Sequence, residues 1–278
     1  MSTPEILLLG AIAGASIFLG LPVGRMQSLS ANTRAGLSAL ATGVLVFLLW
    51  DVLSNAVDPM DTALHAHDWG SFAGLAALGA LGFCAGLMSL VYYDAWMKRR
   101  AGRRSSPLVG PGAAAVDEFA SRRWFDLTTP AVRLAFLIAI GIGVHNFAEG
   151  LAIGQAAAAD EISLAVTLII GFGLHNATEG FGIVGPLGSV RPSWTWLGVA
   201  GLVGGGPTML GTIVGYQVHS RPLELLFYAL AGGAVLYVIG EIWTGMRRYG
   251  HRILGLYLIA AGFLVGVGTD LIVAYGGG

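Results

Sequence analysis

Two short polar strings carry the chemistry of this chain. His145-Asn146-Phe147-Ala148-Glu149-Gly150 recurs thirty residues later as His175-Asn176-Ala177-Thr178-Glu179-Gly180. Within each copy the histidine and glutamate are four apart, so on a helix they share a face, and the asparagine flanks it. Imidazole nitrogen, amide oxygen and carboxylate oxygen form a donor set suited to a borderline divalent ion such as Zn²⁺, Fe²⁺, Mn²⁺ or Cd²⁺. Two carboxylates neutralise one divalent charge. The competing reading of either copy is a buried polar network, with His and Asn bonding across helices. Two copies on adjacent antiparallel helices favour a ligand cage.

Both copies lie in long apolar stretches, where ionisable side chains are costly and mark function. The 278 residues are 55% hydrophobic and only 11% charged, with a mean hydropathy of +0.73. Soluble domains carry roughly a quarter charged residues, so the chain reads as an all-α polytopic membrane protein. Its net charge of -1 excludes a nucleic-acid partner. The single cysteine, Cys84, permits no intramolecular disulfide and reads as a small buried residue. The N-terminus lacks a positive charge before its first apolar run, which therefore reads as a span, not a secretory signal.

Apolar runs predict eight spans: 6–23, 37–57, 69–96, 131–158, 162–187, 194–218, 223–244 and 253–275. Glycines four apart, as at Gly10/Gly14, Gly82/Gly86, Gly150/Gly154, Gly211/Gly215 and Gly262/Gly266, predict close helix crossings. With the N-terminus outside, 14 of the 15 basic residues fall inside and only Arg221 outside. Both termini are then outside. Residues 98–130 form one long basic, Ser/Pro/Gly/Ala-rich segment, expected to be a cytoplasmic linker whose charges set topology. The rest is one transmembrane domain over residues 1–278.

The spans themselves repeat. Spans 2 and 7 align at an offset of 190, which pairs Phe47 with Tyr237 and Asp51 with Glu241. Spans 3 and 8 align at 180, pairing Gly82-Phe83 with Gly262-Phe263 and Ser89 with Thr269. Spans 1 and 6 give no alignment. The expected bundle is a 3+2+3 inverted repeat with spans 4 and 5 at its centre, an arrangement typical of secondary transporters. Helical rise places His145 and His175 near the midplane, Glu149 about one turn outward and Glu179 about one turn inward. Asp51 and Asp270 toward the outer ends of their spans, and Glu241 toward an inner end, sketch a pathway through this cage. Asp94 reads as interfacial. His65, His67 and Asp68 read as solvated residues able to meet metal outside, and His219 and His251 as helix-end residues.

The run from His145 to Gly154 resembles the fourth-span motif of the ZIP family of metal transporters, and the second copy its fifth-span motif. The resemblance extends over the chain, through eight spans, outer termini and a cytoplasmic loop after span 3. It implies transport of Zn²⁺, or of Fe²⁺, Mn²⁺ or Cd²⁺, toward the cytoplasm, with His145, Asn146, Glu149, His175, Asn176 and Glu179 as the metal site. The metal is then cargo. The expected partners are a divalent ion and the lipid bilayer of a prokaryotic plasma or inner membrane, with a homodimer as an option. Ala148 and Thr178 stand where the family often has proline, which predicts straighter helices. Span 6 reads Gly204-Gly205-Gly206-Pro207-Thr208, without the acid that completes a second metal site in some members. The long loop lacks the family's frequent histidine cluster. Two other readings are an intramembrane metalloenzyme, disfavoured because no His-Glu-x-x-His occurs, and a carrier of another solute coupled to metal or protons.

Overall fold

A computed structural model describes residues 3–26, 30–104, 129–160, 162–188, 190–218, 220–246 and 252–277. Among them are eight α-helices: α1 (Thr3–Ala15), α2 (Ala31–His65), α3 (Trp69–Arg104), α4 (Pro130–Ala158), α5 (Ile162–Val184), α6 (Trp194–Gln217), α7 (Arg221–Met246) and α8 (Arg252–Gly277). Six of them, and the stretch Pro4–Arg25 that continues α1, are long and apolar enough to cross a membrane. The remaining helix, α5, falls outside that set, yet its 23 residues exceed the ~20 that a bilayer core requires.

Local sequence sets the helix ends. Ser30 and Ser193 accept the backbone N–H groups of Thr33 and Trp196 at 3.1 and 3.0 Å, and Asp68 accepts that of Ser71 at 3.0 Å, each satisfying a donor left open by the first turn. Pro130 stands at the first turn of α4, where its missing N–H costs nothing. His67 and Asp160 take positive φ values of 55° and 61° in the turns after α2 and α4.

The expected first span of 6–23 is not one α-helix. α1 stops at Ala15 and two 3₁₀ segments follow, Ser16–Leu19 and Leu21–Arg25. The carbonyl of Ala13 accepts both Ser16 Oγ at 2.6 Å and Asn176 Nδ2 at 3.0 Å, and Pro22 follows in the second segment. α3 runs through Lys98-Arg99-Arg100 to Arg104, so it overlaps the start of the expected 98–130 linker. Residues 105–128 of that linker, together with His219, His251, Arg247 and Arg248, lie outside the described residues. Cys84 is exposed, contrary to expectation. It sits on α3, whose apolar residues Leu81, Met88, Val91 and Tyr92 also point outward, because α3 turns one side away from the bundle.

Glycines decide how the helices cross. A Cβ at Gly14 would strike the carbonyl of Gly205, and one at Gly205 would strike that of Gly14. Gly150 packs on the carbonyl of Thr208 and Gly211 on that of Phe147; Gly180 packs on the carbonyl of Ile17 and Gly20 on that of Ala177. Adding 30 to the α4 numbers and subtracting 191 from the α6 numbers turns the first two contacts into the last two. Segment 3–25 and α6 are thus equivalent in contact, a relation that the residue identities hide.

A second set behaves likewise. Gly43 packs on the carbonyl of Ile259 and Gly262 on that of Leu40, while Gly233 packs on that of Phe83 and Gly86 on that of Leu230. The 190 offset between α2 and α7 holds for these contacts. The α3–α8 offset becomes 176, one helical turn from the expected 180. The molecule is therefore two four-helix groups, α1/α4/α5/α6 and α2/α3/α7/α8, meeting along α4–α7, α2–α5 and α5–α8. α4 is the central helix, buried along most of its length and joined to α2 and α7 by a core that includes Leu45, Leu48, Ile138, Ile142, Val235 and Val238.

Candidate metal centre

The first motif sits mid-way along α4 and the second toward the C-terminal half of α5, and both helices run unbroken through them. All six motif side chains are buried, each 5% exposed or less. His145 Nε2 lies 3.2 Å from Glu149 Oε1 on its own helix and 3.9 Å from Glu179 Oε1 on α5. Neither approach has hydrogen-bond alignment. Asn146 also stands within side-chain reach of Glu179.

The asparagines perform matched structural tasks. Asn146 Nδ2 donates to the carbonyl of Gly204 on α6 at 3.0 Å, and Asn176 Nδ2 donates to that of Ala13 on α1 at 3.0 Å. Both acceptors lie near places where the helix ladder is disturbed. Ala13 precedes the change to 3₁₀ geometry, and Gly204 follows Val203, the carbonyl that loses its ladder partner at Pro207. Each asparagine thereby spends its amide nitrogen on backbone and keeps its Oδ1 unbonded and buried.

The histidines diverge. His175 Nε2 hydrogen-bonds Thr269 Oγ1 on α8, and its ring lies 6.0 Å from that of Phe47. Thr269 belongs to the other four-helix group, so His175 bridges the two groups while His145 stays with the carboxylates. Thirteen buried side-chain nitrogen and oxygen atoms among the described residues lack a hydrogen-bond partner, and nine of them belong to the six motif residues. Buried polar groups are seldom left so. Among the described residues no group of three or more His, Cys, Asp and Glu is arranged to hold a metal ion as the side chains stand.

The flanking acids occupy two places. Asp51 is partly buried, with Asn55 Nδ2 3.4 Å from its Oδ1, and lies in electrostatic reach of Asp270 and His145. Glu241 is half-buried at the other end of the bundle, beside Tyr237. Asp94, expected at the interface, is instead 8% exposed. Its carboxylate meets Arg133 Nε at 3.4 Å and also pairs with Lys98, because α4 begins alongside the end of α3. The i,i+4 spacing of Asp94 and Lys98 was the available sequence signal; the Arg133 contact had none. Thr269 and the carbonyls of Ala13 and Gly204 were likewise not legible as neighbours of the motifs. His65 and His67 are exposed, His65 pairing with Asp61 at 3.5 Å. Asp68 is engaged as the α3 cap, and its hydrogen bonds to Ser71 hold its carboxyl below the usual range.

The sequence profile of the ZIP zinc transporters matches residues 121–265. A zinc transporter ZupT of Streptococcus mutans is 35% identical over 145 residues, covering 49% of this chain and 53% of that protein; the chain thus spans about half the length of that relative. Longer alignments reach the ZupT proteins of Corynebacterium glutamicum, 27% identical over 91% of this chain and 95% of the relative, and of Shigella dysenteriae, 28% identical over 87% and 86%. Buried motifs on long apolar helices and these relations agree on a multi-pass membrane transporter, not an enzyme. The chain belongs to the ZIP family of zinc transporters.

Proposed function

We propose that the chain moves Zn²⁺ across a bacterial plasma membrane toward the cytoplasm, through a site made by His145, Glu149 and Glu179 and completed by His175, Asn146 and Asn176. The observation that carries this reading is the concentration of unbonded buried donor atoms on those six residues. Two ligands of a tetrahedral zinc, each about 2.0–2.2 Å from the ion, stand about 3.3–3.6 Å apart. The His145–Glu149 and His145–Glu179 separations of 3.2 and 3.9 Å bracket that spacing. Only small side-chain adjustments would seat an ion there, and two carboxylates would offset its charge.

Each part of the chain then has a task. Asp51 and Asp270 concentrate cations at the outer mouth. His145, Glu149 and Glu179 replace the hydration shell. Asn146 and Asn176, tethered to α6 and α1, hold their carbonyl oxygens toward the ion at little entropic cost. Access alternates as the α1/α4/α5/α6 group moves against α2/α3/α7/α8. The His175–Thr269 bond crosses that boundary and must break when the groups part. Metal ligation competes with protons at the same atoms, so acid inside would favour release.

The test is Zn²⁺ flux into liposomes holding the purified chain, with Fe²⁺, Mn²⁺ and Cd²⁺ measured in parallel. Glu149→Ala combined with Glu179→Ala should abolish uptake. Uptake at the unmodified rate by that double variant would sink the proposal.

A further inference from the structure

The contact-derived offsets relate the two ends of the bundle. An offset of 190 pairs Asp51 with Glu241, and an offset of 176 pairs Asp270 with Asp94. The acid pair near His145 therefore has a counterpart at the opposite end, in equivalent positions of α3 and α7. The two pairs differ in one respect. Among the described residues Asp51 and Asp270 form no ion pair with lysine or arginine, Asp51 having His145 as its only basic group in electrostatic reach, whereas Asp94 holds Arg133 at 3.4 Å and also Lys98.

Three observations single out Arg133. It is 9% exposed, unusually buried for an arginine. It opens α4, the helix that carries His145, Asn146 and Glu149 twelve to sixteen residues later. Its partner Asp94 lies on α3, in the other four-helix group, and α3 touches α4 little elsewhere. Tyr237, 8% exposed, lies within electrostatic reach of Glu241, Asp94 and Arg133. Among the described residues its hydroxyl has no hydrogen-bond partner. That hydroxyl is a buried oxygen within electrostatic reach of two carboxylates and of Arg133.

We propose that Arg133 is a tethered cation that closes the inner acid pair: it neutralises Asp94 while the ion is elsewhere, ties the inner end of α4 to α3, and gives way when an ion departs past Asp94, Tyr237 and Glu241. The proposal rests on the transport reading above. The chemistry is charge exchange. A departing divalent ion takes the carboxylate that the guanidinium held, and Arg133 swings to solvent with the inner end of α4. Removing the arginine leaves Asp94 only Lys98, a half-exposed partner that solvent screens, so the inner acid pair is under-neutralised, the condition that recruits a cation.

The experiment compares the full-length chain with Arg133→Gln, Arg133→Lys and Arg133→Gln/Asp94→Asn, using Zn²⁺ alone as the probe. Equilibrium binding is measured in detergent and inward flux in liposomes, after size-exclusion chromatography confirms a folded species. Arg133→Gln should bind about one more Zn²⁺ per chain than the unmodified protein, the extra ion should vanish on adding Asp94→Asn, and flux should fall about fivefold as ions linger at the exit. Arg133→Lys should restore the original stoichiometry. An unchanged stoichiometry in folded Arg133→Gln would overturn the proposal while unmodified flux upholds the transport reading. Absence of flux in the unmodified protein would remove that reading, and this inference with it. Should Arg133→Gln not fold, Asp94→Asn serves: an arginine without its partner should cut flux at least fivefold at unchanged central-site binding, and unchanged flux would again overturn the proposal.

Discussion

The two motif copies share His, Asn, Glu and Gly at the same spacing and differ in use. Both asparagines donate to a backbone carbonyl at 3.0 Å, on helices equivalent in contact. Both glycines after the glutamates press on a neighbouring carbonyl. Up to this level the copies are interchangeable. The histidines then separate: His145 faces two carboxylates, and His175 bonds Thr269 across the boundary between the helix groups. The shared part is a cradle, and the divergent part is where ligation and movement are assigned. A duplicated backbone frame can thus carry two jobs, because a single side-chain partner is enough to separate them.

The largest test of that comparison is His145→Ala against His175→Ala. Removing a ligand between two carboxylates should lower Zn²⁺ flux about a hundredfold, and removing the boundary histidine about tenfold. Equal losses in liposome flux would break the division of labour.

The cradle should respond symmetrically. Gly150→Ala and Gly180→Ala each drive a Cβ into a carbonyl, of Thr208 and of Ile17, and each should cost about 1–3 kcal/mol in stability. Gly198→Ala, with open space around the added carbon, is the control and should gain about 0.5–1 kcal/mol. Thermal unfolding of the three proteins reads the difference. A large disparity between Gly150 and Gly180 would mean that the frame is less equivalent than its contacts suggest.

The smallest effect sharpens the boundary contact. Thr269→Val removes the hydroxyl that His175 meets and should change flux about threefold, a size suited to one hydrogen bond of about 0.5–1.5 kcal/mol. Thr269→Ser should keep the original rate. If Val and Ser behave alike, the bond plays no part in the cycle.

Much was legible from residue types alone. Long apolar runs dictate helices, because a bilayer leaves backbone groups no other partner. Histidine, asparagine and glutamate at helical spacing in apolar surroundings mark a candidate cation site, since little else justifies their cost there. The pairing of Asp51 with Glu241 was likewise readable, because carboxylates are rare landmarks in such spans. The end of α1 at Ala15 was not, as it depends on Asn176, distant in sequence, taking up the Ala13 carbonyl.

By itself, then, the sequence determined an α-helical membrane protein with a doubled polar motif and a repeat around it. Tertiary structure alone decided the register of that repeat. Offsets of 180 and 176 differ by four residues, one turn, so they place nearly the same helix face against its neighbour. In helices built from Gly, Ala and Leu, residue identity cannot choose between them. Only the contact of a glycine with a particular carbonyl can, and that contact makes Asp94 the counterpart of Asp270 and sets Arg133 beside it.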